Sequence, residues 1–136
     1  MIRIKNLTKE YGRHQGIHDV SFEIQDGETF GLLGPKGAGK TTLIGILAGF
    51  LSADQGTCSI NGKIPGKGQE SIVRFTGCLP EHVHLPEDLT AVKYLRYVAG
   101  LRGIRNLERG LQVMHHFEIE QDIRIGRMRK GQRQML

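Results

Sequence analysis

Polar and apolar residues alternate with a period of two in two early stretches of this chain. Residues 2–6, IRIKN, and residues 20–24, VSFEI, each put every second side chain on one face, as a half-buried strand does. The Asp26-Gly27 pair that follows is a turn signal. Residues 29–33, TFGLL, are a short apolar run leading straight into glycine-rich sequence, which predicts a strand buried on both faces. From Lys40 the period lengthens. Leu43, Ile44, Ile46, Leu47 and Phe50 make a broad apolar stripe on a helix that ends in a glycine-containing stretch. Residues 56–63, GTCSINGK, predict a strand entering an Asn-Gly turn, and residues 71–80, SIVRFTGCLP, a further strand closed by Pro80.

The character changes near residue 84. Leu89, Val92, Leu95, Val98 and Ala99 recur at helical spacing behind Thr90, a residue type that caps helices. Gly103 interrupts, and Leu107, Leu111, Met114 and Phe117 build a second amphipathic stripe. Both stripes are expected to be core faces. The expected class is α/β, with residues 1–83 as a mixed β core around one strand–loop–helix unit and residues 84–136 as a helical subdomain.

Composition adds limits. A chain of 136 residues suits one domain with a real core. An apolar content of 38% and a mean hydropathy of −0.30 are ordinary for a soluble protein. No apolar run approaches the roughly 18 residues that span a bilayer, and the N-terminal residues lack the apolar core of a signal peptide. A cytosolic location is therefore expected, with any membrane role exercised through a partner. Cys58 and Cys78 have no C-x-x-C spacing and are expected to be buried free thiols.

Charge is unevenly placed. Residues 1–90 carry nine Lys/Arg against ten Asp/Glu, net −1, whereas residues 91–136 carry ten against four, net +6. A nucleic-acid surface is one reading of that excess. A solvated helical face, or one meeting phosphates or an acidic partner, is the other and is preferred, because aromatic interleaving is thin: Tyr94, Tyr97 and Phe117.

The run Gly34-Pro35-Lys36-Gly37-Ala38-Gly39-Lys40-Thr41 fits G-x-x-x-x-G-K-[ST], with Thr42 beyond it. Glycines let the backbone curl so that successive N–H groups point at phosphate oxygens. The helix starting at Lys40 aims its unpaired N–H groups and positive dipole end at the same anion. Lys40 adds a point charge for the β and γ phosphates, and the Thr41 hydroxyl is placed to ligate Mg²⁺. A nucleoside triphosphate site is the expectation.

These residues and their order resemble the ATP-binding subunit of ABC transporters. LTKEYG, 7–12, is similar to the family's A-loop, which implies that Tyr11 stacks on adenine. GPKGAGKTT is close to the family's GPNGAGKTT, with Lys36 adding a positive charge in place of the common Asn. The resemblance continues through LAGFLSADQGTCSINGK and through GCLPEHVHLPEDLTAVKYLRYVAGLRG, 77–103, whose LPE form is similar to exporters with ABC-2-type membrane subunits. It implies Glu81 at the Q-loop position, as a metal contact or water-orienting group. MRKGQRQM, 128–135, resembles the signature motif, so Met128, Arg129, Lys130, Gly131 and Gln132 are implied to meet the γ-phosphate held by a second protomer. Arg129 stands where the family usually has Ser.

The resemblance implies a P-loop NTPase of the ABC type that binds ATP and Mg²⁺. It implies a head-to-tail homodimer and an integral membrane permease as partners, no nucleic acid, and a peripheral position at the inner face of the cell membrane. Within 1–136 no apolar run ends in Asp-Glu, so the domain is expected to be truncated before Walker B, the catalytic Glu and the switch His. No catalytic residue is assigned within the chain, Glu81 apart. The alternative function is a nucleotide-binding fragment or regulatory module without ATPase activity. His82 and His84 lack a third ligand and read as surface residues, while His14 and His18 lie near the Tyr11 element.

Overall fold

The computed structural model describes residues 1–12, 15–66, 72, 76–80 and 83–136. Its first unit, Met1–Cys78, is built on β1 (Ile2–Glu10), β2 (Gly16–Ile24) and β3 (Gln55–Ile60), an antiparallel sheet in the order β2-β1-β3. Ile4 and Leu7 are both fully buried, although residues three apart in a regular strand face opposite ways. A bulge between them removes the conflict. Asn6 adopts a left-handed φ of 48° and Asp19 on β2 one of 50°, and Asn6 Nδ2 donates to Asp19 Oδ1 at 2.7 Å. The freed backbone donors find hydroxyls: Asn6 N–H reaches Ser21 Oγ at 2.8 Å, and Asp19 N–H reaches Thr8 Oγ1 at 3.0 Å. Asn and Asp are the side chains that tolerate this backbone best. Across the sheet Gly56, at φ 78°, passes so close that a Cβ there would lie 2.2 Å from the Asn6 carbonyl oxygen.

The predicted strands at 2–6, 20–24 and 56–63 are present, the first two longer than the alternation suggested because the bulges reset it. Asn61 and Gly62, at φ 49° and 76°, make the expected turn, and Ile60 and Lys63 exchange backbone hydrogen bonds across it at 2.8 and 2.9 Å. Helix α1 (Lys40–Leu47) seats Leu43 and Ile46 against Ile4, Leu7, Ile17 and Cys58. Burying each such aliphatic side chain stabilises the unit by about 1.5–3 kcal/mol.

Several expectations fail. Residues 29–33 are not a strand: Leu33 is 93% exposed, and only Leu32 packs on the core, while Phe30 stacks on Phe22 with ring centroids 4.9 Å apart. A strand buried on both faces needs hydrogen-bonding neighbours, and among the described residues none lies beside it. Residues 76–80 form no strand either, and Ile72 is helical, with the Thr76 N–H and hydroxyl both donating to its carbonyl. The apolar stripe of α1 is narrower than predicted, since Ile44 is half exposed and Phe50 is 75% exposed. The helix stops at Leu47 and Gly49 turns the chain at φ 79°, carrying Phe50 off the buried face. Cys58 is buried, but Cys78 is exposed.

The second unit, Leu79–Leu136, contains α2 (Ala91–Leu101), α3 (Glu108–His116), a 3₁₀ turn at Ile125–Arg127 and α4 (Lys130–Met135). Ala91, Met114, Ile119, Ile125 and Met128 form its buried core, with Leu89, Leu95 and Leu111 packed around them. The predicted stripes are therefore core faces, although Phe117 at the end of the second is 43% exposed. Gly110 lets α3 approach α2, because a Cβ there would lie 2.9 Å from the methyl carbons of Leu95.

Thr90 precedes α2 as expected but does not cap it. Ala91 N–H donates to the Ile123 carbonyl at 3.0 Å and Val92 N–H to the Gln121 carbonyl at 2.9 Å. The segment returning from α3 thus takes the donors a capping hydroxyl would have served. Thr90 Oγ1 is left buried without a partner among the described residues.

Candidate nucleotide site

The loop before α1 is held by its own backbone. Ala38 N–H donates to the Pro35 carbonyl at 3.2 Å, and Leu43 N–H to the Gly39 carbonyl at 2.9 Å. Gly37 and Gly39 take φ values of 87° and 84°, left-handed conformations that side chains resist. Their surroundings differ: a Cβ on Gly37 would meet no atom of the described residues within 4 Å, whereas one on Gly39 would lie 2.3 Å from Ile17 Cγ2 and 3.0 Å from the Gly16 carbonyl oxygen. Gly39 is needed for both curvature and proximity.

The N–H groups of Gly37, Gly39, Lys40, Thr41 and Thr42 have no acceptor among the described residues. The Lys40 ammonium folds back onto the loop and donates to the Gly34 and Pro35 carbonyls at 2.7 Å each. Thr41 is exposed with its hydroxyl unengaged among the described residues, Thr42 is half-buried, and Lys36 projects into solvent. Unpaired backbone N–H donors, a positive helix end and a lysine held by exchangeable carbonyls suit a polyphosphate. For a divalent cation the described residues offer the Thr41 hydroxyl, and no cluster of three or more His, Cys, Asp or Glu side chains is found among them.

Tyr11 lies at the β1–β2 turn. Its N–H donates to the Gln15 carbonyl at 2.8 Å, and its ring is half exposed. Glu10 pairs with Gly16 across the hairpin, and Gly16 is the residue that Gly39 crowds. The turn carrying Tyr11 and the end of the phosphate loop therefore meet at one end of the sheet. Behind Tyr11, Lys9 Nζ lies 5.8 Å from the ring centroid and donates to Asp54 Oδ1 at 2.8 Å. Asp54 Oδ2 accepts the Glu10 N–H at 2.8 Å. That backbone donor, and then the Lys9 ammonium, hold the Asp54 carboxyl below the usual carboxylate range. Sequence reasoning singled out neither Lys9 nor Asp54, since a contact 45 residues apart leaves no periodic signal.

Glu81, implied as a metal contact, lies outside the described residues, as do His14 and His82. His18 Nδ1 is 3.5 Å from Glu10 Oε1 on the hairpin. In the second unit Met128 is buried and anchors the signature-like segment, while Arg129, Lys130 and Gly131 are exposed and Gln132 is half-buried. Gln132 Oε1 accepts the Arg129 N–H at 3.1 Å, the returning half of a capping box. The other half needs an acceptor at residue 129, and arginine has only donors. The Arg133 guanidinium donates to the Met128 carbonyl at 3.1 Å and lies 3.7 Å from Glu87.

An α/β unit with this loop ahead of α1, joined to a helical unit, is a P-loop NTPase of the ATP-binding cassette kind. The sequence pattern of the ABC transporter family matches residues 17–136, and the chain belongs to that family. It is 33% identical over 141 residues to the SkfA peptide export ATP-binding protein SkfE of Bacillus subtilis (strain 168), covering 98% of this chain and 57% of that protein. It is 33% identical over 108 residues to the linearmycin resistance ATP-binding protein LnrL of the same organism, covering 79% of this chain and 35% of that protein. A solved ATP-binding subunit of an ABC transporter superposes with a TM-score of 0.87 at 28% identity, over 99% of this chain and 58% of that one. The chain thus spans between about a third and somewhat over half of the relatives' length. ATP hydrolysis is general in this family, and Mg²⁺ with ATP is its typical nucleotide complex.

Proposed function

We propose that this chain is the nucleotide-binding front part of an ATP-driven transport subunit. The observation that carries the reading is the glycine loop of residues 34–39, with its free N–H groups and the Lys40 ammonium resting on two carbonyls. Gly34 through Thr42 hold the phosphates of ATP. The loop N–H groups bind the oxygens, and Lys40 exchanges its carbonyl partners for phosphate. Thr41 supplies a hydroxyl to Mg²⁺, with Glu81 as a second contact, and Tyr11 provides the adenine platform. Electrostatic positioning of this kind is the main contribution proteins make to phosphoryl transfer.

The signature-like residues Met128 to Gln132 serve a second protomer's nucleotide in a head-to-tail dimer. A membrane permease receives the force, and the subunit sits at the inner face of the membrane through it. An export role follows the similarity to SkfE, a peptide export ATP-binding protein, and the LPE form of residues 79–81. Residues 1–136 contain no Walker B Asp, catalytic Glu or switch His of the expected kind, so by themselves they bind ATP and turn it over orders of magnitude more slowly than a complete cassette. Calorimetric titration tests the reading. Lys40→Ala is expected to weaken ATP binding by at least about tenfold, the scale of one lost charge-assisted contact. Tyr11→Ala is expected to erase a preference for ATP over GTP. Unchanged affinity in the Lys40 variant refutes the loop assignment.

A further inference from the structure

Asp54, the residue just ahead of β3, grips three consecutive residues at the end of β1. Its N–H donates to the Thr8 carbonyl at 2.9 Å, its Oδ1 accepts from Lys9 Nζ at 2.8 Å, and its Oδ2 accepts the Glu10 N–H at 2.8 Å. The backbone ladder between β1 and β3 ends at Thr8 and Gln55, so the carboxylate extends the grip by two residues, up to the neighbour of Tyr11. On the other side Glu10 pairs with Gly16, where a Cβ would lie 1.8 Å from the Lys9 carbonyl oxygen. The Lys9 side chain is only 19% exposed, and its ammonium stands over the Tyr11 ring, 5.8 Å from the centroid. A surface ion pair by itself contributes little. This pair is tied to backbone through one carboxylate oxygen, and its cation lies within the roughly 6 Å at which an aromatic face attracts it.

We infer that Lys9 and Asp54 are positioning residues for the adenine platform, acting through the Tyr11 ring rather than on the nucleotide. The inference rests on the reading of Tyr11 as that platform. A stacking ring gains affinity when its orientation is set before the base arrives, because its rotational freedom is then already lost. Tyr11 is 51% exposed and stands just past a strand end, so without a support its ring would sample several rotamers. Lys9 covers one face of the ring and leaves the opposite face for the base. A cation on one face also draws π density toward itself, which favours an electron-rich purine on the other. Asp54 holds the ammonium by charge and the Glu10 backbone by a hydrogen bond. One carboxylate thus sets both the ring's support and the strand end from which the ring projects.

Calorimetric titration of the 136-residue chain with ATP and, separately, with inorganic tripolyphosphate tests this. Tripolyphosphate engages the phosphate loop but carries no base. Lys9→Met keeps the aliphatic stem and should weaken ATP binding by about two- to fivefold, the scale of one exposed cation–π contact, with tripolyphosphate affinity unchanged. Lys9→Arg keeps the charge and the pairing with Asp54, and should restore most of the loss. Asp54→Ala should weaken ATP binding at least as much as Lys9→Met. Asp54→Asn should do so less than Asp54→Ala, because its side-chain carbonyl still accepts the Glu10 N–H. In a Tyr11→Ala background Lys9→Met should have no further effect. Equal loss of ATP and tripolyphosphate affinity, an effect of Lys9→Met that persists without the Tyr11 ring, no rescue by arginine, or ATP binding by Lys9→Met equal to wild type overturns the proposal. ATP binding by Tyr11→Ala equal to wild type is a separate result: it refutes the platform reading itself, and the proposal falls with it.

Discussion

Gly37 and Gly39 share nearly the same left-handed backbone, at φ 87° and 84°, yet stand in different surroundings. Replacing each with alanine separates the cost of the conformation from the cost of the space. An alanine in this region is strained by about 1–2 kcal/mol, partly offset by about 0.4–1 kcal/mol from the stiffer unfolded chain. Among the described residues nothing lies within 4 Å of the added methyl at Gly37, so Gly37→Ala should cost about 1 kcal/mol or less. At Gly39 the methyl would sit 2.3 Å from Ile17 Cγ2. Ile17 is buried in the sheet core and β-branched, so its Cγ2 cannot swing aside without a rotamer change. Overpacking of this kind costs about 1–3 kcal/mol, bringing Gly39→Ala to about 2–4 kcal/mol.

Native-state hydrogen exchange at the β1 amides reads the opening of the first unit. A difference of about 2 kcal/mol between the variants corresponds to roughly 30-fold faster exchange for Gly39→Ala. Ile17→Ala removes the offending methyl, so the double variant should be less destabilised than the sum of its singles by about 1 kcal/mol or more. Equal exchange in the two glycine variants, or strict additivity with Ile17→Ala, would refute the idea that loop and strand are locked together at this point.

Three further outcomes follow from the geometry. Iodoacetamide should label one thiol rapidly, Cys78, and reach Cys58 only on unfolding, because Cys58 is buried and desolvation pushes its thiol up from 9.0; mass spectrometry of peptides counts the labels. Asp54, held below 3.8 by the Glu10 N–H and Lys9, contributes stability that is fully present above its unfolded value and is lost as pH falls through the lower folded one. The stability gap between wild type and Asp54→Asn should accordingly be constant above about pH 5 and shrink below it, as acid titration followed by hydrogen exchange reports. Arg129→Ser supplies the acceptor that the α4 capping box lacks, and should stabilise that helix end by about 1 kcal/mol, read as slower amide exchange at Gln132 and Arg133.

The phosphate loop was legible because its chemistry is local. Left-handed glycines, the lysine and the threonine hydroxyl fall within eight consecutive residues, and the helix that orients them begins inside the same run. The Asn61-Gly62 turn was legible for the same reason: both residues take positive φ at low cost. The amphipathic stripes of α2 and α3 also carried their core contacts openly, since helical spacing is a property of neighbours. What stands behind Tyr11 was not legible. Asp54 reaches Lys9 and the Glu10 N–H only because β1 pairs with β3, and neither residue belongs to a pattern.

By itself the sequence determined the elements whose cause lies within a turn or two of chain: the loop, the hairpin turn, and the helices with their buried faces. Only the tertiary structure decided the rest. Ile4 and Leu7 share one face because Asn6 and Asp19 bulge together across two strands. Residues 29–33, apolar enough for a buried strand, stay unpaired because no described strand runs beside them. Thr90 stands at a cap position yet its hydroxyl has no partner among the described residues, because carbonyls from Gln121 and Ile123 take the helix donors. In each case the physical reason is the same: a backbone donor or acceptor takes whichever partner the fold brings within reach, and that partner is set by contacts remote in sequence.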